Sequence, residues 1–311
     1  MESKESSLGT PSAAASNADD LGLTQFQGFW IPSRSVPTSS IIAFQKNFQA
    51  LDDDIIVVSK PKSGTTWLKA LVFSIVNRHH YTFSNTPLNS TNPHLLVPYL
   101  VIHLYKKNPN PDLSTISSPR LFSTHLPYPM LADSIKSSNC RIVYIIRNPF
   151  DIIVSLWHFL RFMDDRSVED YFEMFCRGEE GYGPFWDHAL GYWNMSLEKP
   201  LNVLFLRYEE LKEDPVAQTK RLAAFLGFPF SIEEEKTGMV NQIVDFCSFN
   251  NLKDLEVYKT GKNPGSIIPN NKLFFRSGKV GDYVNHLSPT AVEHLSNILE
   301  EKLSGSGLTF K

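Results

Sequence analysis

Four short apolar runs punctuate the chain, at residues 55–58, 120–124, 141–146 and 203–206. Each leads into polar or glycine-bearing residues and then into a stretch with helical spacing. Residues 55–58 lead through a Ser-Gly-Thr turn into 68–76. Residues 120–124 lead into His125-Leu126-Pro127, residues 141–146 into 149–163, and residues 203–206 into 208–211 and then 215–226. Uninterrupted apolar runs of this length read as strands buried on both faces, and strands alternating with helices predict an α/β fold with a central parallel sheet flanked by helices. Further helices are predicted over 38–51, with Ile41, Ile42, Phe44, Phe48 and Leu51 near one stripe, and over 186–198, with Leu190, Trp193 and Leu197 on one face. The last helix, 288–303, opens with Ser288-Pro289 as a cap and first-turn pair.

The segments outside this alternation read differently. Residues 1–24 lack the basic start and apolar core of a secretory signal, and Glu2, Glu5, Asp19 and Asp20 against Lys4 oppose a transit peptide. They are expected to be a disordered tail. Residues 259–272, rich in Gly, Pro, Asn and Lys, are expected to form a mobile surface loop. With 311 residues, 42% of them hydrophobic, the chain can bury one large domain or two small ones. A net charge of −3 gives no field favouring nucleic acid or an anionic membrane, and no apolar run approaches the ~20 residues that span a bilayer. Cys140, Cys176 and Cys247 lie far apart, which opposes a disulfide framework or a zinc site and fits reduced thiols in the cytoplasm.

The chemistry concentrates after the strands, where ligands of parallel sheets bind. Lys60-Pro61-Lys62-Ser63-Gly64-Thr65-Thr66-Trp67 follows the first run. A strand-to-helix turn of this composition aims backbone N–H groups and a helix N-terminus at an anion, and Lys62 with the Ser63, Thr65 and Thr66 hydroxyls adds donors. It is not a Walker loop, because the lysine precedes the glycine and neither Gly261-Lys262 nor Gly278-Lys279 is followed by Ser or Thr. An ordinary capped turn is the plain alternative. Arg147 ends the third strand, and Ser155 falls two turns into the helix that Asn148-Pro149 begins, so the two can grip one phosphate. The alternative is an Arg147–Asp151 ion pair. Phe275-Arg276-Ser277-Gly278-Lys279-Val280-Gly281-Asp282-Tyr283 is either a loop that closes on an anion or a solvated hairpin tip. His125 stands out among nine histidines because it follows a predicted strand at the ligand edge.

In order and approximate spacing these motifs resemble those of the cytosolic sulfotransferases that use PAPS, 3′-phosphoadenosine 5′-phosphosulfate. The resemblance runs from about Gln27 to Lys311 and includes Thr124-His125-Leu126-Pro127 and Leu206-Arg207-Tyr208-Glu209-Glu210. Cys247-Ser248-Phe249 and Gly305-Ser306-Gly307-Leu308 resemble the plant branch, whose members act on flavonols, hydroxyjasmonates and brassinosteroids. The resemblance implies a single sulfotransferase domain over 25–311, P-loop-like in fold. Lys62, Ser63, Gly64, Thr65, Thr66 and Trp67 would hold the 5′-phosphosulfate. Arg147 and Ser155 would hold the 3′-phosphate, joined by Arg276, Ser277 and Gly278. Tyr208 would contact the adenine, with Trp67, Phe249 and its neighbour Ser248 around it. His125 would be the catalytic base and Lys62 would neutralise charge on the departing oxygen, with no metal required. The acceptor would be a small hydroxylated compound such as a flavonoid, steroid or hydroxyjasmonate, against Phe29, Trp30, Tyr128, Phe159 and Tyr182.

The chain departs from the family pattern at Ser123 and Ser277, where lysines are common, and at Tyr283, where tryptophan is common. The two serines keep open a non-catalytic or weakly active PAPS- or nucleotide-binding protein, and a P-loop kinase is the remoter alternative. No nucleic-acid or membrane partner is expected. The Lys-x-x-x-Thr-Val-x-x-x-Glu segment through which animal relatives dimerise is not found in 253–272, which leaves the oligomeric state open.

Overall fold

The computed structural model describes residues 22–261 and 270–310. Most of the expected tail and the middle of the 259–272 loop therefore lie outside the described residues. The first strand, β1 (Leu23–Phe26), already begins within the segment assigned to the tail. It pairs with β2 (Phe29–Pro32) in an antiparallel hairpin that the apolar pattern did not reveal. Its turn is made by Gln27 and Gly28 at φ 50° and 84°, the left-handed pair that suits a two-residue hairpin, and Gln-Gly is a weak signal for it.

The main sheet contains β3 (Ile55–Ser59), β4 (Leu121–Thr124), β5 (Arg141–Ile146) and β6 (Val203–Arg207), all parallel and ordered β4-β3-β5-β6. All five residues of β3 are buried. Alternate residues feed two cores: Ile56, Val58, Phe122, Ile142 and Tyr144 on one face, and Ile55, Val57, Leu121, Val143 and Ile145 on the other. The first face is covered by α1 (Thr38–Asn47), α3 (Pro149–Leu160), α4 (Val168–Cys176), α5 (Phe185–Glu198) and α8 (Pro289–Leu303); the second is covered by α2 (Thr65–Asn77), α6 (Pro215–Phe225) and α7 (Met239–Phe246). From β3 the chain crosses to β4 on one side, and from β5 it reaches β6 on the other. The carboxyl ends of β3 and β5 are thus the switch point at which a crevice opens. No helix among the described residues is long and apolar enough to cross a membrane.

One expectation about a face holds only in part, since Leu190 and Trp193 pack against the core but Leu197 does not. In α5 the buried residues are Phe185, Trp186, His188, Ala189 and Tyr192, whereas Leu197 is 62% exposed. Periodicity did not mark His188 and Tyr192 as buried because it discounts polar side chains, yet their polar atoms have partners. Tyr144 donates its hydroxyl to His188 Nδ1 at 3.0 Å, His188 Nε2–H donates to the His125 carbonyl at 3.0 Å, and Tyr192 donates to the Leu126 carbonyl at 2.7 Å. The buried face of α5 therefore fixes the backbone of the segment that carries His125.

The amino-terminal edge of the sheet is fastened by an ion pair. Asp54 is fully buried just before β3 and accepts from Arg120 Nε at 2.7 Å and Nη2 at 2.6 Å, just before β4. Asp54→Ala leaves the buried guanidinium without its partner, so unfolding free energy from denaturant titration is expected to fall by about 3–5 kcal/mol. A loss under about 1 kcal/mol would mean that water reaches the guanidinium and the pair is not what fastens this edge.

Candidate active site

The loop between β3 and α2 is strained in the way an anion cradle requires. Lys62 has φ 70° and Gly64 φ 101°, so successive peptide units turn their N–H groups toward one side. A side chain at Gly64 would also meet Tyr208 Cδ2 at 2.8 Å, so glycine is needed both for the backbone angle and for the close approach. Gly64 caps α2 without a side-chain hydrogen bond, which leaves the leading N–H groups and the positive end of the helix facing the crevice.

The crevice is a cavity of ≈ 260 Å³. Lys62, Gly64, Thr65, Thr66 and Trp67 line it from the loop; Arg147, Ser155 and Tyr208 line it from the ends of β5 and β6 and from α3. Ser248 and Phe249 approach from a short helix, and Arg276, Ser277 and Gly278 from the carboxyl-terminal loop. His125 lies on the same wall. Of the residues assigned to the site, Ser63 alone does not line the cavity. Its hydroxyl is buried without a protein partner, and its N–H bonds back to the Lys60 carbonyl at 3.2 Å. Residue type does not reveal that this hydroxyl would be buried.

The electrostatics of the cavity are one-sided. Burial pushes the Lys62 ammonium down to about 7, and repulsion from Arg147 and Arg276 adds to it. Its Nζ sits 3.9 Å from the centre of the Phe159 ring. Trp67 Nε1, Arg147 Nε and Arg276 Nε are buried donors without protein acceptors, and all three belong to residues lining the cavity. Unmatched donors and mutually repelling cations fit a ligand with more than one anionic group.

The plain alternative for Arg147 turns out to be part of the construction. Arg147 does pair with Asp151, at 3.1 Å, but the fully buried Asp151 also accepts from the N–H groups of Gly281 at 2.9 Å and Tyr283 at 3.1 Å. It thereby ties the carboxyl-terminal loop to the end of β5. Asp282 orients Arg276 at 2.5 Å, and Tyr208 donates its hydroxyl to the Gly278 carbonyl at 2.9 Å. Sequence reasoning saw Asp151 only as a competitor for Arg147, because its backbone partners lie 130 and 132 positions away.

His125 is half-buried between two aromatic rings, Tyr99 at 4.8 Å and Tyr182 at 5.4 Å. Its Nδ1 lies 2.7 Å from the Ser59 carbonyl, which can only accept, so Nδ1 carries the proton and Nε2 keeps a lone pair. Burial pushes this imidazole down to about 3; the Ser59 carbonyl opposes that shift, and Lys69 and Lys60 reinforce it. A second, narrow apolar cleft bounded by Val36, Tyr99, Ile102, Leu126 and Tyr182 opens on the other side of His125. Of the aromatic residues expected at an acceptor pocket, Phe159 and Tyr182 line these cavities. Phe29 is in the main core, Trp30 packs near Leu23 and Met174, and Tyr128 packs on Tyr192, because the hairpin and α5 draw all three inward. Ser123 is buried with its hydroxyl on the Val97 carbonyl at 3.1 Å, so it offers nothing to the cavity, whereas Ser277 does line it.

Residues 52–307 match the family model described as "Sulfotransferase domain". The chain is 48% identical over 295 residues to Cytosolic sulfotransferase 15 of Arabidopsis thaliana, across 92% of this chain and 81% of the relative. It is 49% identical over 310 residues to Cytosolic sulfotransferase 5 of the same plant, across 96% and 94%. Among solved structures it resembles a mouse sulfotransferase complexed with PAP, with a TM-score of 0.72 and 28% identity over 91% of this chain and 95% of that one.

Gly64→Ala forces a methyl group against Tyr208 and a side chain into the left-handed region, at a cost of at least ~1 kcal/mol. By isothermal titration calorimetry the variant is expected to bind PAP at least tenfold more weakly, the equivalent of ~1.4 kcal/mol. Unchanged affinity would show that the loop's shape is not what receives the anion.

Proposed function

The chain belongs to the sulfotransferase family, and from that premise we propose that it moves the sulfuryl group of PAPS to a hydroxyl of a small acceptor, with His125 as general base and Lys62 as the cation that meets the leaving oxygen. The observation that carries this reading is the convergence of Lys62, Arg147 and Arg276 with unmatched buried donors in one cavity whose wall includes a neutral imidazole.

The residues divide the work by position. The N–H groups of residues 64–66 and the Lys62 ammonium receive the 5′-phosphosulfate end, while Arg147, Ser155 and Arg276 receive the 3′-phosphate. Trp67, Tyr208 and Phe249 offer ring faces between these two groups. When bound, PAPS supplies a sulfuryl group already activated on a phosphate oxygen. His125 Nε2 takes the acceptor's proton as the acceptor oxygen bonds to sulfur, and the bridging S–O bond breaks with its electron pair leaving on the phosphate. Lys62 neutralises that pair, and the fixed Nδ1–H bond to Ser59 keeps the base aimed at the acceptor. The low basicity of the free imidazole is compatible with this role, because an anion in the cavity favours the imidazolium.

The acceptor proposed is a small hydroxylated compound such as a flavonoid, a steroid or a hydroxyjasmonate, meeting Nε2 on the side of His125 walled by Tyr99 and Tyr182, where the apolar cleft of ≈ 10 Å³ has to widen to admit it. The relatives' name places them in the cytosol, and the same compartment is proposed here. Labelled PAPS offered with a panel of phenols, sterols and hydroxy acids tests the reaction. Transfer to any member supports it, and binding of PAP with no transfer to any acceptor would favour the non-catalytic alternative.

His125→Ala is expected to lower kcat by about 10²–10⁴-fold while the protein still binds PAP, since the base acts on the acceptor. Undiminished turnover would remove His125 from the mechanism. Proton uptake gives an independent check. Lys62 is held down to about 7 in the free protein, and the anion's charge raises it again. At pH 8 binding of PAP should therefore take up a substantial fraction of a proton, and none through this group well below pH 7. Calorimetry at pH 8 in buffers of different ionisation enthalpy reads this directly, and Lys62→Met should abolish it. Proton release at pH 8 would contradict the assignment.

A further inference from the structure

One buried cation has no part in the mechanism above. Lys69 lies on α2 one turn after Thr65, is completely buried, and forms an ion pair with no carboxylate among the described residues. Burial holds its ammonium well below its ordinary value. Its Nζ is 3.0 Å from His94 Nδ1 and 3.4 Å above the centre of the Tyr99 ring. His94 Nε2 is in turn 3.1 Å from Thr66 Oγ1, in the anion loop. The imidazole is held in place on several sides: the His94 N–H bonds to Asn92 Oδ1 at 2.9 Å, and the ring packs on Tyr99 at 5.5 Å and Phe274 at 4.6 Å. His94 and Thr66 both line the cavity; Lys69 does not.

The direction of this chain follows from what each group can donate. An ammonium has only donors, so charged Lys69 gives a proton to the His94 Nδ1 lone pair. The remaining imidazole proton is then on Nε2 and is donated to Thr66 Oγ1. With its lone pair engaged, the Thr66 hydroxyl turns its own proton away from His94. A neutral amine at Lys69 permits the reverse order, in which Thr66 donates to His94 and offers the cavity only an acceptor. An ammonium at Lys69 thus fixes Thr66 as a donor, whereas a neutral amine leaves both orders open.

We propose that Lys69 and His94 are positioning residues that orient and polarise the Thr66 hydroxyl as a donor to the 5′-terminal anion, so that a cation buried behind the loop contributes to selection of the 5′-charged ligand without touching it. This rests on the reading that residues 62–67 hold the 5′ end. A lysine kept only for packing would be replaceable by methionine at no cost to binding. A lysine that feeds the loop would not, because hydrogen bonds in series reinforce one another in a low dielectric. The anion also supplies what the buried ammonium lacks, a negative charge at the far end of the chain.

The test compares PAP with adenosine 3′-monophosphate, which lacks the 5′-phosphate, by calorimetry on the full chain. Wild type is expected to prefer PAP. Lys69→Met and His94→Phe should each weaken PAP binding about 3- to 10-fold and leave adenosine 3′-monophosphate unchanged. In a Thr66→Val background His94→Phe should have no further effect, because the chain acts through that hydroxyl. This cycle decides the question even if Lys69→Met does not fold. Retention of the wild-type preference in Lys69→Met and His94→Phe, equal loss of both ligands, or additivity with Thr66→Val would each overturn the proposal. A wild type that does not distinguish the two ligands would instead overturn the assignment of the loop on which it rests.

Discussion

Three cations, Lys62, Arg147 and Arg276, are held together at the carboxyl edge of one parallel sheet, and their mutual repulsion is the constraint around which the rest of the site is arranged. Like charges in a partly buried crevice separate unless something fixes them. The sheet supplies part of that fixation, since β3 and β5 are adjacent and their ends cannot move apart without breaking the ladder from Ile55 to Ile145. Asp151 supplies the rest. It takes one proton from Arg147 and two from the backbone of the loop that carries Arg276, so a single buried carboxylate sets the spacing of two arginines.

The two lysines of the first loop separate into different roles for the same electrostatic reason. Lys60 is 1% exposed and reaches Glu180 at 2.7 Å and the Gly181 carbonyl at 3.1 Å. Burial lowers the lysine and raises the glutamate, and the pairing opposes both shifts. The pair draws the 180–183 segment onto the end of β3, and β2 clamps it from the other side through Trp30 and Gly183 at 3.0 Å. Tyr182, at φ 62°, is thereby held against His125. Lys62, two positions on, has no such partner and remains available to a ligand. The hairpin that hydrophobic pattern missed is thus part of what positions Tyr182 beside His125.

Much of this site was legible in the sequence because it is local. Continuous apolar runs gave the strands, Asn148-Pro149 and Ser288-Pro289 gave helix starts that the structure keeps, and the order of lysine, glycine and threonines gave the cradle. What escaped was set by distance or by direction. The Glu180 partner of Lys60 lies 120 positions away and Asn92, beside His94, meets Asn271 across 179. No pattern within a helix or strand encodes such contacts. For Ser63, residue type tells that a hydroxyl is present, not that it is buried and outside the cavity lining. The buried polar residues of α5, His188 and Tyr192, were not seen because satisfied polar groups are indistinguishable, by hydropathy, from exposed ones.

Lys62 and His125 share a feature that joins affinity to reactivity. Both are held below their ordinary values in the free protein, the lysine by burial and two arginines, the histidine by burial and two lysines. An anion in the cavity opposes every one of those electrostatic contributions at once. It restores charge to Lys62, which then binds it more firmly, and it raises the basicity of His125, which then accepts a proton more readily. Before the donor is present the imidazole is a poor base and Lys62 carries only part of its charge. For Lys62, the two arginines that would attract an anion are also the ones that help hold it down in the free protein. On the proposed mechanism, the field of a bound donor would therefore bring both groups closer to working strength.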